Sequence, residues 1–157
     1  MLRVGIGYDV HAFGAGRKLI LGGIEIAHPQ GLVGHSDADV LSHAICDALL
    51  GAAALEDIGQ HFPPSDPQFK DISSITLLAR VVALLKEKGW QLVNVDSTVI
   101  CEAPKLAAHI PAMRESLSAA CSLAVDAISV KATTTEKLGF TGRGEGIAAQ
   151  AIALISD

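Results

Sequence analysis

The sequence has 157 residues, a net charge of −5, and 50% hydrophobic but only 4% aromatic residues. The length is that of one ordinary domain, and the apolar share excludes intrinsic disorder. The acidic balance excludes the basic surface that nucleic-acid binding requires, and no apolar run approaches the roughly 18 residues that span a bilayer. A chain this apolar also favours burial of one face against further copies of itself.

The three cysteines, Cys46, Cys101 and Cys121, lie far apart and form no C-x-x-C motif. This spacing predicts neither a disulfide framework nor a thiolate zinc site, so we interpret all three as small core residues in a reducing, cytoplasmic compartment. Composition does not shift along the chain, and we find no repeat or linker. A single domain over residues 1–157 is therefore predicted.

The first elements read as strands. Alternation predicts a strand over residues 3–9, and Gly22-Gly23 predicts a hairpin between short strands at 18–21 and 24–27. A helical pattern then begins at Ser36, and we expect this helix to end near residues 51–54.

The first helix shows the apolar stripe Leu41, Ile45 and Leu49, and Ser36-x-x-Asp39 resembles a capping box at its start. Phe62–Pro67 contains three prolines, which predicts a stiff loop or lid.

A second helix is predicted over residues 72–88, with Gly89 ending it, and a third starts near Pro111. The remaining predicted strands cover residues 90–100, 128–132 and 147–155. This mixture of strands and helices favours an α+β sandwich, with helices on one face of the sheet, over a doubly wound parallel sheet.

Asp9 and His11 lie two residues apart near the end of the first predicted strand, so they point to the same face. A carboxylate and an imidazole suit zinc, and a third ligand from elsewhere would leave the open position that catalytic zinc sites keep. The alternative is an Asp that caps a turn beside a solvated His.

Asp39, His43 and Asp47 follow one another at four-residue spacing on the polar side of the first helix. This pattern predicts an imidazole held between two carboxylates and oriented as a metal ligand, or else a solvated polar face. His35 and Ser36, at the helix start, are placed to meet an anion such as phosphate, although Ser36 can instead serve only as the N-cap.

The run Thr133 to Lys137 follows a strand and precedes the glycine-rich stretch up to Gly146. Its hydroxyls suit phosphate oxygens and Glu136 suits a hard divalent cation, while a purely structural loop is the alternative. The P-loop motif is absent, Gly5-Ile6-Gly7 lacks the third glycine of a dinucleotide fingerprint, and no G-x-S-x-G nucleophile motif occurs. We assign no role to His28, His61 or His109.

Several motifs together resemble one known family. They are Asp9-Val10-His11, His35-Ser36-Asp37-x-Asp39 with His43, Asp57-Ile58-Gly59, Ala103-Pro104-Lys105 and the sixteen-residue run Lys131–Gly146. In this order, and nearly from end to end, the chain is similar to the 2-C-methyl-D-erythritol 2,4-cyclodiphosphate synthases of the non-mevalonate isoprenoid pathway.

The resemblance implies a ferredoxin-like α+β subunit in a homotrimer with active sites between subunits. It also implies a reaction, in which 4-diphosphocytidyl-2-C-methyl-D-erythritol 2-phosphate closes to the cyclic diphosphate and releases CMP. The attacking phosphate is already anionic and belongs to the same molecule, which agrees with the lack of a nucleophile in the sequence. A zinc phosphohydrolase, or a non-catalytic trimer that binds an isoprenoid or nucleotide, is the alternative.

By position, Asp9, His11 and His43 are expected to bind Zn²⁺, whose fourth ligand is a β-phosphate oxygen. His35 and Thr134 are expected to stabilise the transition state, and Glu136 to help place Mg²⁺ or Mn²⁺. Asp57–Gly59 are implied to face the erythritol, and residues 101–107 are implied to face the cytidine. Residues 133–136 are implied to complete the diphosphate site from a neighbouring subunit. Substrate-binding residues implied in this way are Asp9, Val10, His11, His35, Ser36, Asp57, Ile58, Gly59, Phe62, Pro63, Pro64, Ser65, Asp66, Cys101, Glu102, Ala103, Pro104, Lys105, Leu106, Ala107, Thr133, Thr134, Thr135, Glu136, Phe140 and Arg143.

Phe140 and Arg143 are implied to lie towards the threefold axis, where members of the family hold an isoprenoid diphosphate in an apolar cavity. The chain departs from the family pattern at Pro64-Ser65 and within the cytidine stretch. Ala149-Gln150 also stands where some members carry an acidic residue. We therefore expect Arg143 to lack a carboxylate partner.

Overall fold

The computed structural model describes residues 1–157 and contains seven strands and five helices. The strands are β1 (Leu2–Gly14), β2 (Leu19–Leu21), β3 (Ile24–Ile26), β4 (Gly31–Leu32), β5 (Gln91–Ile100), β6 (Ile128–Thr133) and β7 (Gly146–Ser156). The helices are α1 (Val40–Ala52), α2 (Ile58–His61), α3 (Ser74–Glu87), α4 (Ile110–Cys121) and α5 (Gly139–Gly142).

Five strands form one mixed sheet in the order β4-β1-β7-β5-β6, and β2 pairs with β3 as a separate hairpin. Strand β7 is antiparallel to both β1 and β5, whereas β5 and β6 are parallel. Strands β1, β5 and β6 therefore run in the same direction. Their carboxyl ends meet at one edge of the sheet, which is where the predicted site segments follow them.

The helices cover one face of this sheet. Helix α1 packs on β1 and β7, α3 packs beside α1, and α4 packs against α3 and β6. The stripe Leu41, Ile45 and Leu49 is fully buried in the single large core cluster. The predicted α+β arrangement, with helices on one sheet face, is thus confirmed.

Two glycines bring α1 unusually close to β1. A Cβ atom at Gly5 would lie 2.1 Å from the carbonyl oxygen of Ala48, and one at Gly7 would lie 1.9 Å from that of Ala44. Any larger residue would push the helix away from the strand. The Gly-Ile-Gly pattern therefore serves helix packing, and it holds α1 directly against the strand that carries Asp9 and His11.

The predicted strands, the hairpin and the second and third helices are confirmed, but the predicted start of the first helix is wrong. Helix α1 begins at Val40, and its N-cap is Asp39, which accepts a hydrogen bond from the amide of Ser42. The hydroxyl of Ser36 instead accepts a hydrogen bond from the amide of Ala38, which has a positive φ of 57°. Ser36 thus closes a local turn in the loop before the helix.

All three cysteines are buried and free, as predicted. Burial raises the pKa of the Cys121 thiol to about 12 and that of Cys101 to about 11, so both stay protonated and behave as small apolar residues. None of the five helices is both long enough and apolar enough to cross a membrane.

Candidate metal centre and substrate pocket

Asp9, His11 and His43 converge on one point between β1 and α1. The Nε2 atom of His11 lies 2.9 Å from Oδ2 of Asp9, and Nδ1 of His43 lies 3.1 Å from the same oxygen. The two nitrogens are 3.2 Å apart. Alternation along β1 places Asp9 and His11 on one face, as predicted, and α1 covers that face.

The tautomer of His11 is fixed by the backbone. Its Nδ1 atom lies 2.7 Å from the carbonyl oxygen of Val33, which can only accept, so Nδ1 carries the proton. In the neutral imidazole the lone pair of Nε2 therefore faces Asp9 and His43, whereas a doubly protonated His11 donates from Nε2 to Asp9.

The pKa shifts of Asp9 and His11 indicate that the cluster also favours a bound cation. Burial alone would raise the pKa of Asp9, but the hydrogen bonds from His11 and His43 outweigh it and hold that pKa well below its usual range. Burial would lower the pKa of His11, yet its hydrogen bond to Asp9 raises it overall. A site that attracts a proton in this way also attracts a metal ion.

The donor atoms fit zinc. Two imidazole nitrogens and one carboxylate oxygen form a common ligand set of catalytic zinc, and bond lengths near 2.0–2.1 Å place tetrahedral ligands about 3.3 Å apart. The three separations of 2.9, 3.1 and 3.2 Å lie close to that spacing. These side chains are 28% exposed or less, so solvent reaches the cluster from one side.

The predicted surroundings of His43 are wrong. Asp39 does not lie on a polar face but is fully buried, and burial raises its pKa. Its carboxylate accepts hydrogen bonds from the amides of Gly22 and Gly23 and from the hydroxyl of Ser42. Asp47 accepts a hydrogen bond from the amide of Ile58 at 2.8 Å. Both carboxylates are thus committed to the backbone of other segments.

The carboxylate beside His43 is Asp9, from the neighbouring strand. The other ring nitrogen of His43, Nε2, faces two hydroxyls, that of Ser74 at 2.8 Å and that of Ser36 at 3.1 Å. Ser74 was missed by the sequence analysis, because its position at the start of α3 carries no local signal of contact with α1.

A pocket of about 250 Å³ opens beside the cluster and includes His11 and His43 in its wall. Predicted site residues that line it are His35, Ser36, Ile58, Gly59, Phe62 and Pro64. Phe69, Ile72 and Leu77 complete the apolar part of the wall and were not predicted.

Other predicted residues near the pocket have structural roles that are already visible. Asp57 is the N-cap of α2 and accepts from the amide of Gln60, and Asp66 caps the turn Pro67–Phe69 by accepting from Gln68. Pro63 and Ser65 belong to the intervening loop. The side chain of Val10 points to the opposite, open face of the sheet, since it alternates with Asp9 and His11.

Two predicted segments lie away from this pocket. Residues 101–107 follow β5, and residues 133–136 begin at the last residue of β6. The amide of Cys101 joins the two segments by donating to the carbonyl of Thr133. None of these residues lines the pocket. Strand β6 is the third strand from β1, which corresponds to about 14 Å across the sheet.

The Thr133–Glu136 loop is exposed except at Thr135 and bonds mainly to itself. The hydroxyl of Thr134 donates to the Glu136 carboxylate at 3.1 Å, and that of Thr135 donates to the carbonyl of Leu138 at 2.6 Å. Within the cytidine stretch, Lys105 is exposed, and one carboxylate oxygen of Glu102 is buried without a partner. The loop is ordered by its own hydrogen bonds and leaves polar groups facing outwards.

Arg143 has a carboxylate partner, so the expectation that it lacks one is wrong. Its Nε atom donates to the Glu145 carboxylate at 2.7 Å, and this contact raises the pKa of Arg143 and lowers that of Glu145. The turn after α5 brings the two side chains together. Phe140 lies half-buried in α5 itself.

Comparison with known proteins agrees with this geometry. The YgbB family model matches residues 2–156. The 2-C-methyl-D-erythritol 2,4-cyclodiphosphate synthase of Syntrophomonas wolfei is 60% identical over 154 residues, which cover 98% of each chain.

Solved structures give the same result. The bifunctional IspDF of Campylobacter jejuni superposes with a TM-score of 0.95 and 43% identity over 99% of this chain, which spans 42% of that longer protein. The IspF of Plasmodium falciparum, solved as a CDP complex, superposes with a TM-score of 0.86 and 32% identity over 98% of this chain and 95% of its own. The chain is therefore an enzyme of the YgbB family, the family of the 2-C-methyl-D-erythritol 2,4-cyclodiphosphate synthases.

Proposed function

We propose that the chain cyclises 4-diphosphocytidyl-2-C-methyl-D-erythritol 2-phosphate to 2-C-methyl-D-erythritol 2,4-cyclodiphosphate and releases CMP. The 2-phosphate oxygen forms a bond to the β-phosphorus, and the bond from that phosphorus to the oxygen of CMP breaks. Such a reaction is a phosphorus–oxygen lyase step. It needs the substrate folded back on itself and its charge neutralised, rather than a protein nucleophile.

The observation that carries this proposal is the Asp9–His11–His43 cluster at the wall of the pocket. These residues would hold Zn²⁺, which supplies Lewis acidity towards a phosphate oxygen when bound. The backbone contact of His11 and the hydroxyl contacts of His43 orient both imidazoles for that task.

The pocket residues bind and orient the substrate around this centre. His35 stands exposed on the loop before α1 and is placed to donate to a phosphate oxygen, and Ile58 and Gly59 offer an apolar and open wall for the erythritol. Thr134 of a neighbouring chain would donate to an oxygen whose negative charge grows as the β-phosphorus is attacked, which is where a fixed donor lowers the barrier.

A cytidyl nucleotide is proposed as the ligand because a solved relative is a complex with CDP, and the family resemblance assigns it to the segment 101–107. Lys105 extends an ammonium towards phosphate charge that is present from the ground state onwards. Glu136 would help to hold Mg²⁺ or Mn²⁺, since carboxylate oxygens are the ligands that such hard cations prefer.

A homotrimer would join the two halves of the site. The outward face of β1 exposes five hydrophobic side chains in alternation, Leu2, Val4, Ile6, Tyr8 and Val10, and Ile152 of β7 lies opposite Ile6. A monomer rarely leaves such a continuous apolar face open to water. Packing of three such faces would cover it and set Thr133–Glu136 of one chain beside the zinc ligands of the next.

Around the threefold axis, Phe140 and Arg143 would line a cavity for an isoprenoid diphosphate. The pairing of Arg143 with Glu145 would leave less free positive charge for that ligand. We propose further that residues 1–157 act as one catalytic domain in the cytoplasm.

Phosphorus NMR of the protein with the cytidyl substrate and Mg²⁺ tests the proposal. Appearance of the cyclic diphosphate together with CMP supports it, and the same sample stripped with a chelator serves as the matched control. Release of inorganic phosphate would identify a phosphohydrolase instead. Absence of turnover with retained nucleotide binding would identify a non-catalytic ligand-binding protein.

A further inference from the structure

Ser74, which belongs to none of the sequence motifs, and Asp37, to which no role was assigned, stand behind the candidate metal ligand His43. Ser74 is the first residue of α3 and is fully buried. Its hydroxyl lies 2.8 Å from Nε2 of His43, the ring nitrogen that faces away from Asp9. On its other side the same hydroxyl contacts the carboxylate of Asp37.

The direction of each hydrogen bond follows from counting protons. A carboxylate only accepts, and a seryl hydroxyl carries one proton, so that proton goes from Ser74 to Asp37. The backbone amide of Ser74 donates to the second Asp37 oxygen at 3.0 Å, which holds the carboxylate in place. Towards His43, Ser74 therefore offers only a lone pair, and Nε2 of His43 must carry a proton and donate it.

With its proton on Nε2, a neutral imidazole bears its free lone pair on Nδ1. In His43 this is the atom that faces Asp9 and His11. We infer that Asp37 and Ser74 are positioning residues, which act in series across the α1–α3 contact to hold His43 in the tautomer and ring orientation that present Nδ1 as a metal ligand.

The second hydroxyl near Nε2 is a weaker candidate for this role. Ser36 lies 3.1 Å from Nε2, already accepts from the amide of Ala38, and has no carboxylate behind it. The proton of Ser36 has two acceptors within reach, Nε2 of His43 and the Ser74 hydroxyl at 3.4 Å, so Ser36 does not impose a tautomer. Ser74 and Ser36 both contact Nε2 of His43 but differ in their other hydrogen bonds, so the effects of their substitutions on zinc affinity can be compared directly.

Zinc affinity, measured by competition with a chromophoric chelator, tests the inference, which rests on the proposed zinc site. Loss of a partner behind a metal-bound His typically weakens metal binding 10- to 100-fold, so Ser74→Ala should fall in that range. Ser36→Ala should cost less. Ser97→Ala is the matched control, because it removes a buried hydroxyl that donates to the Ser129 carbonyl on β6 and should bind zinc like the parent.

Two further variants separate positioning from folding. Ser74→Thr keeps the hydroxyl and should restore affinity to within about threefold of the parent. Asp37→Asn should weaken zinc binding, and the double variant with Ser74→Ala should be no weaker than Ser74→Ala alone, because Asp37 reaches His43 through the Ser74 hydroxyl. The side-chain amide oxygen in Asp37→Asn can still accept from the amide of Asp39, as Asp37 does, so the start of α1 is preserved. If the fold-losses in zinc affinity of the two single variants multiplied in the double variant, the proposal that Asp37 and Ser74 act in series would be overturned.

A spectroscopic measurement needs no successful rescue. In the zinc-loaded parent with ¹⁵N-labelled histidine, the Nε2 proton of His43 should give a resonance that exchanges slowly with water. This resonance should exchange faster in Ser74→Ala, and remain slow in Ser97→Ala. A folded Ser74→Ala protein with parental affinity and a slowly exchanging proton overturns this inference alone, whereas a parent that binds no zinc overturns the proposed metal site itself.

Discussion

The metal cluster and the Thr133–Glu136 loop differ in how they are supported. Asp9, His11 and His43 come from a strand and a helix that pack directly on each other, and partners in the same chain orient both imidazoles. The Thr133–Glu136 loop follows β6, the third strand from β1, and is largely exposed. Its polar groups form hydrogen bonds mostly with one another. The metal cluster is therefore formed and oriented within one chain, whereas the Thr133–Glu136 loop directs polar groups to the outside of the chain.

This difference indicates where each region can be tested. Metal binding should depend on residues of one chain and on its folding alone. Contacts of the loop with substrate should depend on a neighbouring chain, because nothing in the pocket wall comes from residues 101–107 or 133–136.

His43→Ala should remove most of the bound zinc and lower turnover by about 10³-fold or more, because metal stabilisation of phosphate charge is worth several kcal/mol. The fold should persist, since His43 lies in the pocket wall and is not part of the hydrophobic core cluster. Elemental analysis of purified parent and variant, with circular dichroism for the fold, measures both effects.

His109→Ala is the matched control, because His109 stands at the start of α4 and makes no side-chain hydrogen bond. It should retain the zinc content and turnover of the parent. Equal zinc content in His43→Ala and the parent would rule out the proposed ligand set.

Thr134→Val should lower kcat by roughly 10²- to 10³-fold with a smaller change in KM, as expected when a donor acts mainly in the transition state. Lys105→Met should chiefly raise KM, because its ammonium meets charge that is already present in the bound substrate. Steady-state kinetics with the cytidyl substrate separate the two patterns. Zinc content should be unchanged in both variants, since neither residue belongs to the metal cluster.

Thr98→Val and Lys88→Met provide controls of matching chemistry at β5 and at the end of α3. Both should show parental kinetics. If Thr134→Val changed only KM and Lys105→Met only kcat, the division between transition-state and ground-state contacts would be reversed, while the metal site would stand.

The candidate metal ligands were predicted partly from spacing and partly from the family resemblance. Two-residue spacing on β1 predicted that Asp9 and His11 share one face, and the resemblance joined them to His43 of α1. The approach of helix and strand was not predicted. It depends on Gly5 and Gly7, whose close packing against Ala44 and Ala48 emerges only when both elements are in place.

The failed expectations share a physical cause, which is competition from tertiary contacts. Asp39 and Asp47 look like a polar helix face, but the backbone amides of Gly22 and Ile58 bind them. The partner of Arg143 is Glu145, brought round by a turn rather than by a strand neighbour. Local spacing identifies which residues carry polar groups, whereas the choice of partner belongs to packing.

Mixed trimers test whether the two regions meet across an interface. His43→Ala and Glu136→Ala proteins, each inactive alone, should regain activity after subunit exchange, because some interfaces then combine an intact metal cluster with an intact loop. Random mixing of equal amounts makes about a quarter of the interfaces complete, so activity should approach a quarter of the parental value. Native mass spectrometry confirms the exchange, and exchanged trimers without activity would count against shared sites.

The smallest expected effect is the pH dependence of stabilisation by zinc. Because the folded-state pKa of His11 is raised above 6.5, the zinc-free protein has stability from the protonated His11–Asp9 pair that is fully present below 6.5 and lost as pH rises through the raised value.

Zinc needs His11 unprotonated, so its stabilisation changes in the opposite direction: it is complete at high pH and declines as pH falls through the same raised pKa. With free zinc about 100-fold above the dissociation constant, the gain is about 2.7 kcal/mol, or roughly 5 to 10 °C in Tm for a chain of this size. Calorimetry at about pH 6 and about pH 8.5, with and without zinc, should show the larger shift at the higher pH. A shift of equal size at both pH values would mean that zinc binds without displacing a proton from His11. In that case metal binding would not be linked to protonation of His11, and the contrast between the metal cluster and the Thr133–Glu136 loop would lose this support.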